Sequence, residues 1–293
     1  MSNSAAAQPS EESKRADRIA ESIIIPPTPE ALCVIANEQK KEEPNLQAVI
    51  EVLKKDVGIY SAALQIVNSP FMGVPNKITS IDQAVMMLGL QKIASVARSV
   101  SVRANLGEPK GLPNFWETAS EVAELCAQLT RQLTGEEPAD AYVLGMFHSA
   151  GIPVMMQGFK DYQLLLKKSI ENTKYPLHWL EKARYGFSHH QVSSRLTQKW
   201  FLPKPICHAT LLQAVPTEAL TGKIDVGMDE QTGTLLAILT LAKQISPAER
   251  LLWNLPDDRA INQAALDQLE VSVSDFADVQ NYCVDNINAN LDG

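Results

Sequence analysis

The sequence predicts an all-α protein, and three observations support this fold class. Apolar residues recur at helical spacing along most of the chain, as in "SIDQAVMMLGL" and "NFWETASEVAELCAQLTRQLTG". Helix-capping and helix-stopping residues flank these segments. No stretch shows the sustained two-residue alternation of Val, Ile and Thr that is typical of a sheet. We therefore expect a multi-helical bundle with additional C-terminal helices.

Composition narrows the class of protein and its surroundings. Hydrophobic residues make up 45% of the 293 residues and charged residues 20%, which is typical of a globular chain with a sizeable core. The net charge of −8 argues against nucleic acid as a partner, because phosphate binding needs concentrated Lys and Arg. No apolar run approaches the roughly 20 residues of a membrane span. The four cysteines show no CxxC spacing, so we expect a cytoplasmic protein with reduced thiols.

The first elements are a tail and a helical part. Residues 1–18 are rich in Pro, Ser, Glu and Ala, which predicts a disordered tail without a secretory signal. Residues 19–110 are expected to form the N-terminal helical part. Within it, Ser80 and Gln83 form a capping-box pattern at the start of a helix. Gly89 then predicts a stop or a kink.

A helical bundle is expected over residues 111–215, after a boundary rich in Gly and Pro at 105–114. Asn114 is predicted to cap its first helix. Pro176 and Gly186 are predicted to open and close a later one. The large apolar residues that we expect in or near the core are Trp116, Phe147, Trp179, Trp200 and Leu202.

The last elements are a loop and a helical extension. Residues 216–233 contain three glycines and several acidic residues, which predicts a surface loop. Residues 234–293 contain the periodic segments "TLLAILTLAKQI" and "VSDFADVQNYCVDNINANL", so we expect two or three further helices there.

The stretch "MFHSAG" raises the question of chemistry, because it places His148 and Ser149 at the end of an apolar helical segment. A nucleophilic Ser149 is disfavoured, since the G-x-S-x-G elbow needs a glycine where "FHSAG" has Phe and a strand where a helix is predicted. Convergence of His148, His189, His190 and His208 on a metal ion is the sharper hypothesis. The simpler one is four separate core or surface histidines. No HExxH, Cys/His cluster or glycine-rich phosphate loop strengthens the metal hypothesis.

Several segments occur in an order that is characteristic of a known family. A Pro-rich helix start, "IPPTPEALCVIA", is followed by "VLKKDVGIYSAALQIVNSPFMGVPNKITSIDQAVMMLGLQKI", "NFWETASEVA", "GMFHSAG" and "EKARYGFSHHQVSSRLTQKWFLPKPICHAT". Together they resemble the HDOD domain family, a regulatory branch of the HD-domain metal-dependent phosphohydrolases. The last two are similar to its Gly-Leu-Leu-His-Asp-x-Gly and Glu-x4-Gly-x2-His … Trp-x-Leu-Pro elements. The resemblance covers residues 23 to about 215 and implies an HD-like bundle.

Departures from the family pattern bear on the metal site that the resemblance implies. The first metal-ligand histidine would fall near Thr118, the His-Asp pair stands as His148-Ser149, and a later histidine pair would fall near Leu212-Gln213. Only His148 and His189 are then implied as metal ligands, in a vestigial site. Two imidazoles without a carboxylate hold a hard dication poorly, so we expect no catalytic residue and no cofactor. An iron, manganese or zinc ion is the alternative.

Three polar residues of the hallmark stretch are candidates for a ligand or partner surface. These are Asp56, Asn68 and Ser69. The competing interpretation is structural, because Asp56 precedes a helix as an N-cap would, and Asn68 and Ser69 end that helix before Pro70.

The resemblance implies a bacterial signal-transduction protein that acts as a non-catalytic binding or scaffold module. Its partners would be proteins of a signalling pathway, with no nucleic acid and no membrane. One alternative is a metal-dependent phosphohydrolase of a nucleotide or cyclic dinucleotide, with Asp140, Glu181 or Asp161 recruited as ligands. Another alternative is a sensor that binds a nucleotide in the vestigial pocket.

Overall fold

The computed structural model describes residues 24–55, 57–68, 74, 77–171, 175–253 and 263–291, and these residues form α-helices and no β-strand. The all-α prediction is therefore confirmed. The N-terminal part contains α1 (Glu30–Glu38), α2 (Leu46–Lys55), α3 (Val57–Val67) and α4 (Ile81–Leu106).

The central bundle and the C-terminal helices follow. The bundle contains α5 (Phe115–Leu133), α6 (Ala139–Phe147), α7 (Gly151–Gly158), α8 (Tyr162–Glu171), α9 (Leu177–Tyr185), α10 (His189–Lys199) and α11 (Lys204–Leu212). The C-terminal helices are α12 (Pro216–Leu220), α13 (Glu230–Ile245), α14 (Pro247–Leu252), α15 (Gln263–Gln268) and α16 (Val273–Leu291). The segment expected as a loop, 216–233, thus contains α12 and the first turn of α13.

Helix α4 connects the N-terminal part to the bundle, because it packs on α3 on one side and on α6 on the other. The Ser80 hydroxyl accepts a hydrogen bond from the Gln83 N–H (3.2 Å) at its start. Gly89 breaks the helix with φ 75° and ψ 171°, so the predicted kink is present. Among the described residues, α4 alone is long and apolar enough to cross a bilayer, yet 61% of that apolar stretch is buried, as in a core helix.

The core of the bundle is built around two buried tryptophans. Trp116 is fully buried and donates from Nε1 to the Gly107 carbonyl (2.7 Å). Trp200 is also fully buried and meets Phe147 edge to face, with ring centroids 5.9 Å apart. Trp179 was predicted to be in or near the core, but its side chain is 59% exposed. The prediction is wrong because α9 turns the Trp179 face to solvent and buries Leu177 and Glu181 instead.

Glycines allow two close helix contacts in the bundle. A Cβ at Gly145 of α6 would overlap the backbone of Ala123 in α5. A Cβ at Gly151 of α7 would overlap the His189 carbonyl of α10. These contacts fix α6 and α7 against their neighbours, and they hold His148, between α6 and α7, in the interior.

Asn114 does not cap α5 with its side chain, because it takes a left-handed conformation with φ 63°.

Candidate functional site

His148 lies in the interior of the bundle, directly after the last residue of α6. It is 1% exposed, and its Nδ1 is 2.6 Å from the Gly145 carbonyl, so Nδ1 carries the proton of that hydrogen bond. Its Nε2 is buried without a hydrogen bond and lies 3.6 Å from the Glu249 Oε1 atom. The neighbouring Ser149 lines an adjacent cavity.

Glu249 brings a carboxylate to His148 from α14, outside the segment that resembles the family. The Ser246 hydroxyl accepts a hydrogen bond from the Glu249 N–H (3.0 Å) and donates one to Glu121 Oε1 (2.6 Å), which fixes the start of α14. The Glu249 side chain then turns inward and is 4% exposed. Burial raises its pKa, but attraction to His148 and Lys243 outweighs burial, so the pKa is below its usual range.

Lys243 of α13 and Gln213 complete the polar cluster around His148. The Lys243 amine donates to Gln213 Oε1 (3.2 Å) and lies 4.0 Å from Glu249 Oε1. The Gln213 amide in turn donates to the His148 carbonyl (2.6 Å) and the Thr210 carbonyl (3.0 Å). Burial lowers the pKa of Lys243, whereas the Glu249 charge opposes that change. The cluster therefore has one buried anion paired with one ammonium group.

His189 is oriented by a buried carboxylate at the start of α10. Glu181 is fully buried and accepts from His189 Nδ1 (2.7 Å), from the His189 N–H (2.9 Å) and from the Tyr162 hydroxyl. Burial, followed by the Glu181 charge, raises the pKa of Tyr162, so its hydroxyl stays protonated. Because Nδ1 donates to Glu181, the Nε2 atom of a neutral His189 keeps its lone pair free, as in a metal-ligating histidine.

Several of these groups line a cavity of about 210 Å³. It is lined by Ser149, Ser169, Tyr175, Pro176, Leu177, His178, His189, His190, Gln213, Lys243, Glu249 and Trp253. Burial, together with the charges of His189 and Lys243, lowers the pKa of His190 and lowers that of His178 to about 4. The His190 Nδ1 atom is buried without a partner. His178 and His190 are therefore neutral at physiological pH.

The donor set does not match a divalent metal site. Within the described ranges, no group of three or more His, Cys, Asp or Glu residues is arranged to hold a metal ion. Thr118, at the family's first ligand position, is buried and offers no strong ligand. The Glu249 carboxylate beside His148 is paired with Lys243. A divalent cation prefers several anionic or imidazole ligands and is repelled by an ammonium group.

The residues considered from sequence as extra ligands lie in different places. Asp140 lines a separate cavity beside α4, and Asp161 pairs with Arg184 at the surface (2.7 Å). Glu181 does not line the cavity, but it accepts a hydrogen bond from His189, which does. His208 lines a third cavity together with Asp229, so it does not converge with the other histidines.

Of the three residues suggested for a ligand or partner surface, Asp56 and Ser69 lie outside the described residues. Asn68 is half-buried and closes the connection between α3 and α4. Its amide donates to the Leu64 and Ile78 carbonyls (both 2.8 Å) and accepts from the Ile78 N–H (2.7 Å). Asn68 thus has a structural role, and its part in a partner surface stays a prediction.

Sequence reasoning missed Glu249 and Lys243, although both belong to the cluster. The only signal for Glu249 was the pattern Ser246-x-x-Glu249, which predicts a capping box with a solvent-facing carboxylate. Lys243 falls within the periodic segment of α13, and its position near the buried face was the available signal.

The fold and the site together define a helical domain of the HD type. The HDOD domain family profile matches residues 25–216. The chain belongs to the HDOD domain family, as the resemblance implied. The match ends before α13 and α14, which supply Lys243 and Glu249.

Solved structures share this fold. A protein from Shewanella amazonensis SB2B, provisionally described as a phosphohydrolase, is 21% identical with a TM-score of 0.69, over 92% of this chain and 93% of that one. A Marinobacter aquaeolei VT8 protein, provisionally described as a signal transduction protein, is 17% identical with a TM-score of 0.67, over 94% and 63%. An HDOD domain protein of unknown function from Geobacter sulfurreducens is 18% identical with a TM-score of 0.60, over 92% and 96%. At these identities, the likeness establishes the fold.

Two curated relatives are similar to this chain over only part of their own length. An uncharacterised protein of Treponema pallidum (strain Nichols) is 25% identical over 65% of this chain and 37% of its own length. The uncharacterised protein YuxH of Bacillus subtilis (strain 168) is 30% identical over 39% of this chain and 28% of its own length. This chain thus spans about a third of the length of these relatives.

Proposed function

We propose that this HDOD domain protein is a non-catalytic signalling module that acts by binding other proteins. The observation that supports the proposal is the pairing of Glu249 with Lys243 beside His148. A hydrolase of the HD type needs a metal to generate hydroxide, and that needs a cluster of anionic ligands. Here the carboxylate beside His148 is paired with a lysine of the same protein.

The rival function is metal-dependent hydrolysis of a phosphate ester. It would need His148 and His189 to share an ion with a carboxylate, and the two available carboxylates are engaged elsewhere. Glu181 is bonded to His189 Nδ1 and Tyr162, and Glu249 faces Lys243. The donor chemistry therefore favours binding over catalysis. A sensor role for the cavity stays a prediction, as do the cytoplasmic location and the absence of nucleic acid and membrane partners.

The experiment that tests this function is a hydrolysis assay on the whole chain. Wild type and Ser149→Asp are incubated with p-nitrophenyl phosphate, its bis ester and a cyclic dinucleotide, each with Mn²⁺, Fe²⁺ or Zn²⁺. We expect neither protein to exceed the rate of a His148→Ala control, because Thr118 and Gln213 still offer no strong metal ligand. A wild-type rate at least about 100-fold above that control, the size of a positioned catalytic group's effect, would overturn the proposal.

A further inference from the structure

The amine of Lys243 lies beside an amide oxygen and a carboxylate, which are both donor types found in metal sites. It contacts the Gln213 amide oxygen at 3.2 Å and the Glu249 carboxylate at 4.0 Å. That same carboxylate oxygen lies 3.6 Å from His148 Nε2. His189 and His190 line the cavity that Lys243 enters. Imidazole, carboxylate and amide oxygen are the groups that otherwise surround a bound cation.

The buried carboxylate at this point needs a positive group nearby, and the Lys243 amine supplies one. A carboxylate as buried as Glu249 is costly unless a positive group compensates it. His148 Nε2 is buried and has no hydrogen-bond partner. Water therefore does not connect it to an ion in solvent. A divalent ion at this point would lie within a few ångströms of the ammonium group, and their repulsion in a buried site is strong.

We propose that the ammonium group of Lys243 is a built-in cation that replaces a metal ion in this pocket and prevents metal binding. Gln213 is essential to this arrangement, because its amide oxygen holds the ammonium group while its NH₂ group holds the His148 carbonyl. A histidine at position 213 would offer no such carbonyl oxygen acceptor. The inference rests on the proposed non-catalytic function and names the group that maintains it.

The test measures binding of Co²⁺ alone, by equilibrium dialysis and by the visible absorption of the ligated ion. The proteins are wild type, Ser149→Asp, and Ser149→Asp combined with Lys243→Met. We expect the first two to bind no stoichiometric Co²⁺. The double variant should bind one ion per chain, at least about ten-fold more tightly than Ser149→Asp, because the repelling charge is gone and a carboxylate is added. Adding His148→Ala should abolish that binding.

A matched control removes an equivalent charge from the surface. Lys167 pairs with Glu171 on the exposed face of α8, so Ser149→Asp with Lys167→Met should bind no more Co²⁺ than Ser149→Asp alone. A Lys243→Arg version keeps the cation and should also fail to bind. Because Lys243→Met lies in a partly buried site, Lys243→Gln serves as a second neutral variant, and circular dichroism checks that each protein is folded.

Two results would overturn the inference. One is stoichiometric Co²⁺ binding by wild type, which needs no variant. The other is a folded neutral variant at Lys243, combined with Ser149→Asp, that binds no ion. Both results can be distinguished from a result that contradicts the proposed function. Co²⁺ binding without hydrolysis contradicts only the role of Lys243. Hydrolysis that depends on His148 contradicts the non-catalytic function itself.

Discussion

His178 and His190 show how burial sets the charge of individual residues in the cavity. Burial is the largest cause of their lowered pKa values, and the nearby positive groups act in the same direction. An unfolded chain would protonate both imidazoles below about pH 6.5. The folded protein does so only at much lower pH, so the two states bind different numbers of protons in mildly acidic solution.

This difference predicts acid sensitivity. Between about pH 6.5 and the His178 pKa of about 4, the unfolded state binds more protons, so the free energy of unfolding falls as pH falls. Urea unfolding at about pH 7 and at about pH 5 measures how much the free energy of unfolding falls between them. This fall should be smaller in His178→Gln than in wild type. It should be the same as in wild type when the exposed neighbour is changed, in Trp179→Gln. An unchanged loss in His178→Gln would show that His178 titrates normally in the folded protein.

The family resemblance implied His148 and His189 as metal ligands, and that role stays a prediction. In the structure, His148 lies next to Glu249 and His189 lines the cavity. Glu249 was missed because the Ser246-x-x-Glu249 pattern predicts only a helix start, and that start is indeed formed. Whether the carboxylate then faces solvent or His148 depends on packing between segments far apart in the sequence. Local patterns carry no information on such contacts.

Helix α7 contains two glycines with opposite roles at the scale of the element. Gly151 donates its N–H to the Ser193 hydroxyl of α10 (2.7 Å), and an added Cβ would lie 2.8 Å from the Ser193 nitrogen and overlap the His189 carbonyl. An added Cβ at Gly158 would meet nothing within 4 Å. The first glycine allows close packing, whereas the second only adds conformational freedom.

Alanine substitution should therefore change stability in opposite directions within this helix. Gly151→Ala should destabilise the protein by about 1–3 kcal/mol, because the backbone atoms of α10 must move. Gly158→Ala should stabilise it by up to about 1 kcal/mol, since alanine favours the helix. Urea unfolding of the two variants measures both. A Gly151→Ala protein as stable as wild type would mean that α7 and α10 are packed less closely than described.

The sequence predicted the elements well where local signals decide, and less well elsewhere. Ser80 and Gly89 begin and break α4 as expected, because caps and positive φ values depend on adjacent residues. The loop expected at 216–233 contains α12, since glycine and acidic content indicated a turn but Pro216 begins a helical turn. Trp179 was expected near the core because of its helical spacing and its neighbours in the sequence. The rotation of α9, which decides its exposure, is set by the helices that pack against it.

Across the whole molecule, Arg98 connects the N-terminal part to the bundle. It is 5% exposed, and its guanidinium donates to the Gln39 side chain (2.9 Å) and to the Phe201 carbonyl (3.1 Å). The segment before α1 adds to this contact, because Lys199 donates to the Ile25 carbonyl (2.7 Å) and Thr28 donates to the Lys199 carbonyl (2.8 Å). The two parts should therefore unfold as one unit.

This connection can be tested with two probes of unfolding. All four tryptophans lie after residue 110, so fluorescence reports on the bundle and C-terminal helices, whereas circular dichroism reports on all helices. In wild type, the two urea transitions should coincide. Arg98→Met should lose about 1–3 kcal/mol and separate them, because two partly buried acceptors lose their donor. The exposed Arg184→Met should cost below about 1 kcal/mol without separation. Coincident transitions in Arg98→Met would show that other contacts suffice.

The origin of the two charged residues in the cavity has a consequence for the evolution of this protein. The family profile matches residues 25–216, yet Lys243 and Glu249 come from helices beyond it. Mutations in these C-terminal helices would therefore change the ionic character of the pocket, with every position matched by the profile left intact. Sequence comparisons that cover only residues 25–216 would then group together proteins whose pockets differ in charge and in the ligands that they bind.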